Sequence, residues 1–255
     1  APDTTASEPI NSLPEITLDR FAIVEALPIR YRAIADSIDT GIIIKSTQFE
    51  GNNAPQYTLS FIGNASALLP PSIIEPDVPM GINGVINWDP SNPLCIDLND
   101  FEINVAELNS TLCASFDMTR QPTVNALEFK INRLAIADVI THLSDEFQKQ
   151  LKIINTDLTV SVGAVLTKPY VLTDSLLPSL DATLNLHKGN LTLGNQHKPL
   201  TLSADVAASI VGNNLDASVV KVKSCKVNGV SINADFNGTL SSLMSDPAIN
   251  GHSDG

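Results

Sequence analysis

Residues 201–210, TLSADVAASI, and residues 229–238, GVSINADFNG, decide the fold. In the first, Leu202, Ala204, Val206, Ala208 and Ile210 alternate with Thr201, Ser203, Asp205, Ala207 and Ser209. In the second, Val230, Ile232, Ala234 and Phe236 alternate with Ser231, Asn233, Asp235 and Asn237. Successive side chains of a strand point to opposite faces, so this period of two predicts half-buried strands with one dry face and one wet face.

Shorter runs of the same kind extend outward from these two. They are Leu158, Val160 and Val162, then Leu184 with Leu186, and Leu191 with Leu193. Earlier in the chain come Phe101, Ile103 and Val105, then Leu112, Ala114 and Phe116, then Leu127, Phe129 and Ile131. Gly, Asn, Asp or Pro fall between most of these runs, as tight turns require. The reading is an all-β chain, a long antiparallel meander of successive strands.

One segment departs from the pattern. In 137–151, ADVITHLSDEFQKQL, the apolar residues Val139, Ile140, Leu143, Phe147 and Leu151 fall at helical spacing. The expectation is one amphipathic helix with Asp138 as its N-cap, covering an end or seam of the sheet. PIRYRAIADSI, around Tyr31, fits either a strand or a short helical turn, and the Pro-rich stretch 69–79 reads as a long loop or linker. Residues 105–118, VAELNSTLCASFDM, align without gaps with 227–240, VNGVSINADFNGTL, and keep apolar parity from Leu108 against Val230 to Ala114 against Phe236. This weak repeat suggests stacked β units in two lobes, 1–124 and 125–255, the second opening with the helix.

Composition narrows the function. Hydrophobic residues make up 43% and aromatics only 5%, so the dry face is mainly aliphatic. The net charge is −13 with 15 Lys plus Arg, which argues against nucleic acid and against electrostatic adhesion to anionic membranes. No run of eighteen apolar residues offers a membrane helix, and no signal peptide opens the chain. Ala1 and the polar INGHSDG at the other end read as the limits of a segment cut from a longer, anchored protein. The cysteines are Cys95, Cys113 and Cys225, too few for a disulfide framework; they read as free thiols, with a Cys95–Cys113 pair as the alternative in an oxidising compartment.

His142, His187, His197 and His252 are scattered, without metal-ligand spacing. No nucleophile elbow, P-loop, dinucleotide fingerprint or HExxH is present, and Asp145 with Glu146 belongs to a solvated helix face. Sequon matches at Asn64, Asn109, Asn190 and Asn237 are what chance gives in a chain this rich in Asn, Ser and Thr. The reading is a protein without catalytic residues, cofactor or metal. The apolar stripe itself then allows two structures: a closed core, which periodicity alone favours, or an open gutter whose dry face holds acyl chains.

The C-terminal half resembles the AsmA-like family of Gram-negative envelope proteins. The resemblance begins at SLLPSLDATLNLHKGNLTLGNQHKPLTLSADVAASI, 175–210, and continues through NNLDASVVKVKSCKVNGVSINADFNGTLSSLMSDPAING, 213–251. It rests on Gly189 with Leu191 and Leu193, on the alternation from Leu202 to Ile210, and on Phe236, Gly238 and Leu240 before Asp246 and Pro247. LPEITLDRFAIVEALPIRYR, 13–32, and residues 81–118 are similar to the family's other strands. The resemblance implies a long antiparallel sheet of repeated β units, curved into a periplasmic groove or partial barrel and anchored to the inner membrane outside this segment. It also implies a role in outer-membrane homeostasis and phospholipid traffic, with phospholipid and other envelope proteins as partners. The expected lipid-binding face comprises Leu184, Leu186, Leu191, Leu193, Leu202, Ala204, Val206, Ala208, Ile210, Val230, Ile232, Ala234 and Phe236. The competing expectation is a scaffold or protein-interaction module with a closed β core.

Overall fold

A computed structural model describes residues 20–33, 38–51, 56–68, 78–89, 92, 94–172, 177–194, 198–245 and 247–255. The first half contributes β1 (Arg20–Ile23), β2 (Leu27–Ala33), β3 (Ile38–Gly51), β4 (Gln56–Leu68), β5 (Val78–Trp88), β6 (Cys95–Val105), β7 (Leu108–Asp117) and β8 (Thr123–Ala135). Two short helices follow, α1 (Ile136–Thr141) and α2 (Asp145–Leu151). The remaining strands are β9 (Ile153–Thr156), β10 (Thr159–Leu166), β11 (Tyr170–Val171), β12 (Leu180–Leu193), β13 (Leu200–Ile210), β14 (Val219–Asn228), β15 (Asn233–Ser241) and β16 (Ala248–Asp254).

All sixteen strands join one curved, antiparallel sheet, ordered β1-β3-β4-β5-β6-β7-β8-β10-β12-β13-β14-β15-β16. Outside this path, β2 pairs with β3, β9 with β12 and β11 with β8. Thus β1 and β2 together edge β3, and β9 and β10 together run along β12. No ladder joins β16 to β1 or β2, so the sheet is unclosed. This overturns the closed core that periodicity alone favours. Among the described residues only Tyr57, Val78, Phe101, Ala114, Val124 and Leu158 are buried apolar side chains. A single layer can hide little more, because among the described residues every strand belongs to this one sheet and no second sheet packs on it.

The helical segment differs from expectation. It splits into α1 and α2, with Ala135 and Ser144 at the N-cap positions and Asp138 inside the first turn of α1. His142 ends α1 and Lys152 ends α2, the latter in the left-handed conformation at φ 53. Neither helix has a buried residue, and α1 packs on β8 and β9. Six and seven residues are too few for a stable isolated helix, so the pair stands by its attachment to the sheet. PIRYRA resolves as strand β2. Residues 69–77 of the Pro-rich stretch lie outside the described residues, and Val78 and Pro79 open β5. The junction between 124 and 125 lies inside β8.

The three cysteines are free. Cys95 stands opposite Asp117, four residues along β7 from Cys113. That is about 13 Å of strand, against a Cα separation of at most about 7 Å in a disulfide. The register therefore rules out a Cys95–Cys113 bridge.

Turns at the strand ends are tied by short-range contacts that need specific residues. Gly212 packs directly against the Leu177 and Pro178 backbone and donates to Ser179 Oγ at 3.0 Å. The wholly buried Ser218 accepts the Val211 N–H at 2.9 Å. Asp216 Oδ1 accepts the N–H groups of Met244 and Ser245, both at 2.9 Å, joining the β13–β14 connection to the β15–β16 turn. Asp117 accepts the N–H and hydroxyl of Thr119 at 2.8 and 2.6 Å. Asp157 accepts the backbone and side-chain N–H groups of Asn190.

These bonds favour the ionised form and hold all three carboxyls below the usual Asp range. The folded state thus binds protons less readily than the unfolded chain. Its extra stability is present above the unfolded value near 3.8 and is lost as pH falls through the lower folded values. Urea midpoints should therefore be level at neutral pH and fall below about pH 4, and Asp216→Asn should flatten part of that fall. A midpoint indifferent to acid would sink this account.

A methyl group at Gly212 has no room beside Leu177, whereas one at Gly81 would meet only Phe61 O at 3.6 Å, an ordinary contact. Gly212→Ala should cost about 1–3 kcal/mol and lower Tm by several degrees. Gly81→Ala, measured in the same thermal scan, should leave Tm nearly unchanged.

Candidate functional site: a continuous apolar face

Directly opposed residues in a ladder share a face, so the registers trace which side chains lie together. Leu184 faces Val162 on one side and Val206 on the other, and the row continues through Val222 to Gly238 and Gly251. The next row runs Leu134, Val160, Leu186, Ala204, Cys225 and Phe236. Another runs Phe129, Ala164, Ala182, Ala208, Val220, Leu240 and Ile249. The face continues into the first half, where Phe129 meets Leu112 and Phe101, and Ile103 meets Ile82 and Phe61.

β-Bulges keep this face apolar. Leu186 faces Ala204 but Gly189 faces Leu202, so β12 carries one extra residue at His187–Lys188. The bulge moves the apolar set from even to odd positions, and Leu191 and Leu193 rejoin the face of Leu184 and Leu186. β14 does the same between Val222 and Cys225, β6 between Leu98 and Phe101, and β8 between Ile131 and Leu134. Asp100 and Arg133, inside two of these bulges, take positive φ of 51 and 47. The Arg133 N–H is held by Ser161 Oγ at 3.1 Å, and Ser161 Oγ also lies 2.9 Å from His187 Nε2. One polar pair on the outer face thus pins the bulges of β8 and β12.

Of the residues expected on the dry face, the structure brings eleven together. Leu184, Leu186, Leu191 and Leu193 stand on β12, Leu202, Ala204, Val206, Ala208 and Ile210 on β13, and Ala234 and Phe236 on β15. Val230 and Ile232 are corrections. They lie in the hairpin turn closed by the bond from Gly229 N to Ile232 O at 2.6 Å, and they are 69% and 52% exposed. Their alternation continues that of β15, which starts at Asn233, so the pattern alone misplaces the turn. Sequence reading misses β14, whose Val220, Val222, Cys225 and Val227 join β13 to β15. Its signal is two short alternations out of phase by one residue.

Three Phe rings lie across glycines of the same face. A Cβ on Gly84 would come 2.5 Å from the Phe101 ring, one on Gly63 2.9 Å from Phe61, and one on Gly238 3.0 Å from Phe236. Gly251 on β16 is covered by the same Phe236 ring. Rings seated on glycines lie low, which gives a smooth floor rather than the ridges that interlock in a protein core. At one end of the face Phe49 stacks on Tyr57 with centroids 4.9 Å apart, and Trp88 tilts against Tyr57 at 5.6 Å.

No ladder position on this face carries Asp, Glu, Lys or Arg among the described residues. The opposite face is polar, with Gln48, Ser60, Asn83, Glu102, Thr111 and Lys130 forming one row. Its ion pairs include Lys130–Glu128, Lys223–Asp205 at 3.3 Å and Lys226–Asp235 at 2.9 Å. An open depression of about 230 Å³ on that side is lined by Glu102, Asn104, Asn109, Ser110, Thr111 and Asn132. His252 pairs with Asp254 on β16, and no group of three metal-ligating side chains gathers among the described residues. No family model matches the chain, and no curated protein or solved structure matches it.

Placement has energetic consequences that separate the corrected positions from the rest. Val230→Ser and Ile232→Ser, in an exposed turn, should each change stability by no more than about 0.5 kcal/mol. Phe236→Ala uncovers two glycines and should cost about 2 kcal/mol or more, less than a fully buried Phe because the ring is half-exposed. Equal losses at all three sites, measured by urea unfolding, would contradict the register.

Proposed function

We propose that this chain is a non-enzymatic, acyl-chain-binding module of the Gram-negative envelope, working in the periplasm on phospholipid. One observation carries the reading: an uncharged apolar face crosses every strand of an unclosed sheet, and no second sheet lies over it among the described residues. Water against such a face is costly, and a partner must cover it. A flexible hydrocarbon chain suits a low floor of aliphatic side chains and flat rings better than a rigid protein surface does. The resemblance of residues 175–251 to AsmA-like proteins points the same way.

The magnitudes favour lipids with two chains. A methylene fully removed from water contributes about 0.8 kcal/mol, and a sheet covers a chain on one side only. About ten methylenes then contribute roughly 4 kcal/mol, and two chains roughly 8 kcal/mol before ordering costs, the scale of micromolar binding.

The decisive experiment is native mass spectrometry of the purified chain, with solvent extraction of the same sample. Diacyl phospholipid should accompany the protein and be displaced by detergent. Leu184, 43% exposed on the face, is the informative position. Leu184→Asp should weaken lipid binding about tenfold or more with Tm nearly unchanged, because a carboxylate must be desolvated beneath the chain. A clean extract from a cooperatively folded protein would defeat the proposal. It would favour the scaffold reading, in which the exposed edge strand β16 accepts a strand of another envelope protein.

A further inference from the structure

Resting on the acyl-chain reading, we infer that the face selects lipids by their chains and favours zwitterionic or uncharged headgroups over anionic ones. The first reason is the placement of charge. A phosphate bound by a protein is ordinarily met by Arg or Lys, or by free backbone N–H groups at a turn or helix end. Cations are absent from the ladder positions of the dry face. Lys130, Lys223 and Lys226 are spent in ion pairs on the opposite face.

The second reason is found at the turns, where headgroups emerging from the sheet would sit. Backbone N–H groups there already hold the protein's own carboxylates. Asp117 occupies the N–H of Thr119 and Asp216 those of Met244 and Ser245, while Asp157, between β9 and β10, takes that of Asn190 inside β12. An incoming phosphate finds these donors taken and meets the carboxylates that took them. Arg120, Lys152, Lys168 and Lys198 also lie in connections. They are outnumbered over the whole chain, whose net charge is −13. A phosphatidylcholine headgroup carries its own compensating cation and escapes most of this repulsion. A phosphatidylglycerol headgroup does not.

The test offers the purified full chain vesicles of phosphatidylcholine, of phosphatidylglycerol, and of an equal mixture. Lipid retained after separation is quantified by mass spectrometry. In about 20 mM salt, where screening is weak, phosphatidylcholine should be retained about threefold or more over phosphatidylglycerol. In about 0.5 M salt the two should converge, because screening removes the repulsion and leaves the shared chains. Leu184→Lys places one cation on the face and should raise phosphatidylglycerol retention relative to phosphatidylcholine.

Equal or greater retention of phosphatidylglycerol in low salt overturns this inference and leaves acyl-chain binding standing. So does a preference indifferent to salt. Retention of neither lipid overturns acyl-chain binding itself, and the headgroup inference falls with it.

Discussion

The structure depends on keeping one face of a very wide sheet dry across all its strands. An antiparallel ladder alternates side chains without exception, so a one-residue slip would turn an entire strand inside out. The chain avoids this through bulges, which absorb an extra residue and return the apolar set to the same side. β12 shows the constraint most plainly. Leu184 and Leu186 occupy even positions, Leu191 and Leu193 odd ones, and two residues at His187–Lys188 reconcile them. Ser161, held between His187 and the Arg133 N–H, fastens that correction to the corresponding one in β8.

The same constraint accounts for how little is buried. A single layer buries its dry side only by curling, by packing on itself or by meeting something else. Here the sheet curves without closing, and side chains such as Phe21, Leu27, Leu184 and Ile249 stay largely exposed. Local contacts among neighbouring strands, including Phe rings laid on glycines and carboxylates holding turn N–H groups, then carry much of the stability. Charges are segregated more strictly than apolar residues, some of which, such as Val165 between Glu128 and Asp181, stand on the polar face, because an unpaired charge on the dry face would have to be desolvated whenever that face is covered. On the proposed reading, such a surface takes hydrocarbon and its arrangement of charge sets which headgroup accompanies it.

Much of this is legible in the residues. The alternations of β12, β13 and β15 identify half-buried antiparallel strands, and eleven positions read from them share one face. The errors have one cause: pattern reports alternation but not where pairing stops or shifts phase. Val230 and Ile232 continue the parity of β15 through a turn where no ladder exists. β14 escapes notice because its bulge breaks one strand into two short fragments of opposite parity. In 137–151, helical spacing is genuine, yet His142 ends one helix and Ser144 begins another, which periodicity cannot resolve.

The sequence by itself determined the all-β class, the aliphatic character of the dry face, the acidity of the molecule and the identity of eleven residues that share that face on β12, β13 and β15. These follow from local chemistry: side-chain polarity, the period of two, and turn-forming residues. Tertiary structure alone decided that the sheet stays open, that the bulges bring its halves into phase, and that Cys95 and Cys113 lie too far apart to bond. Those outcomes depend on register and on whether distant edges meet. An inner face reads the same whether it is turned toward another sheet or left free, so closure is decided by pairing between strands far apart in the chain.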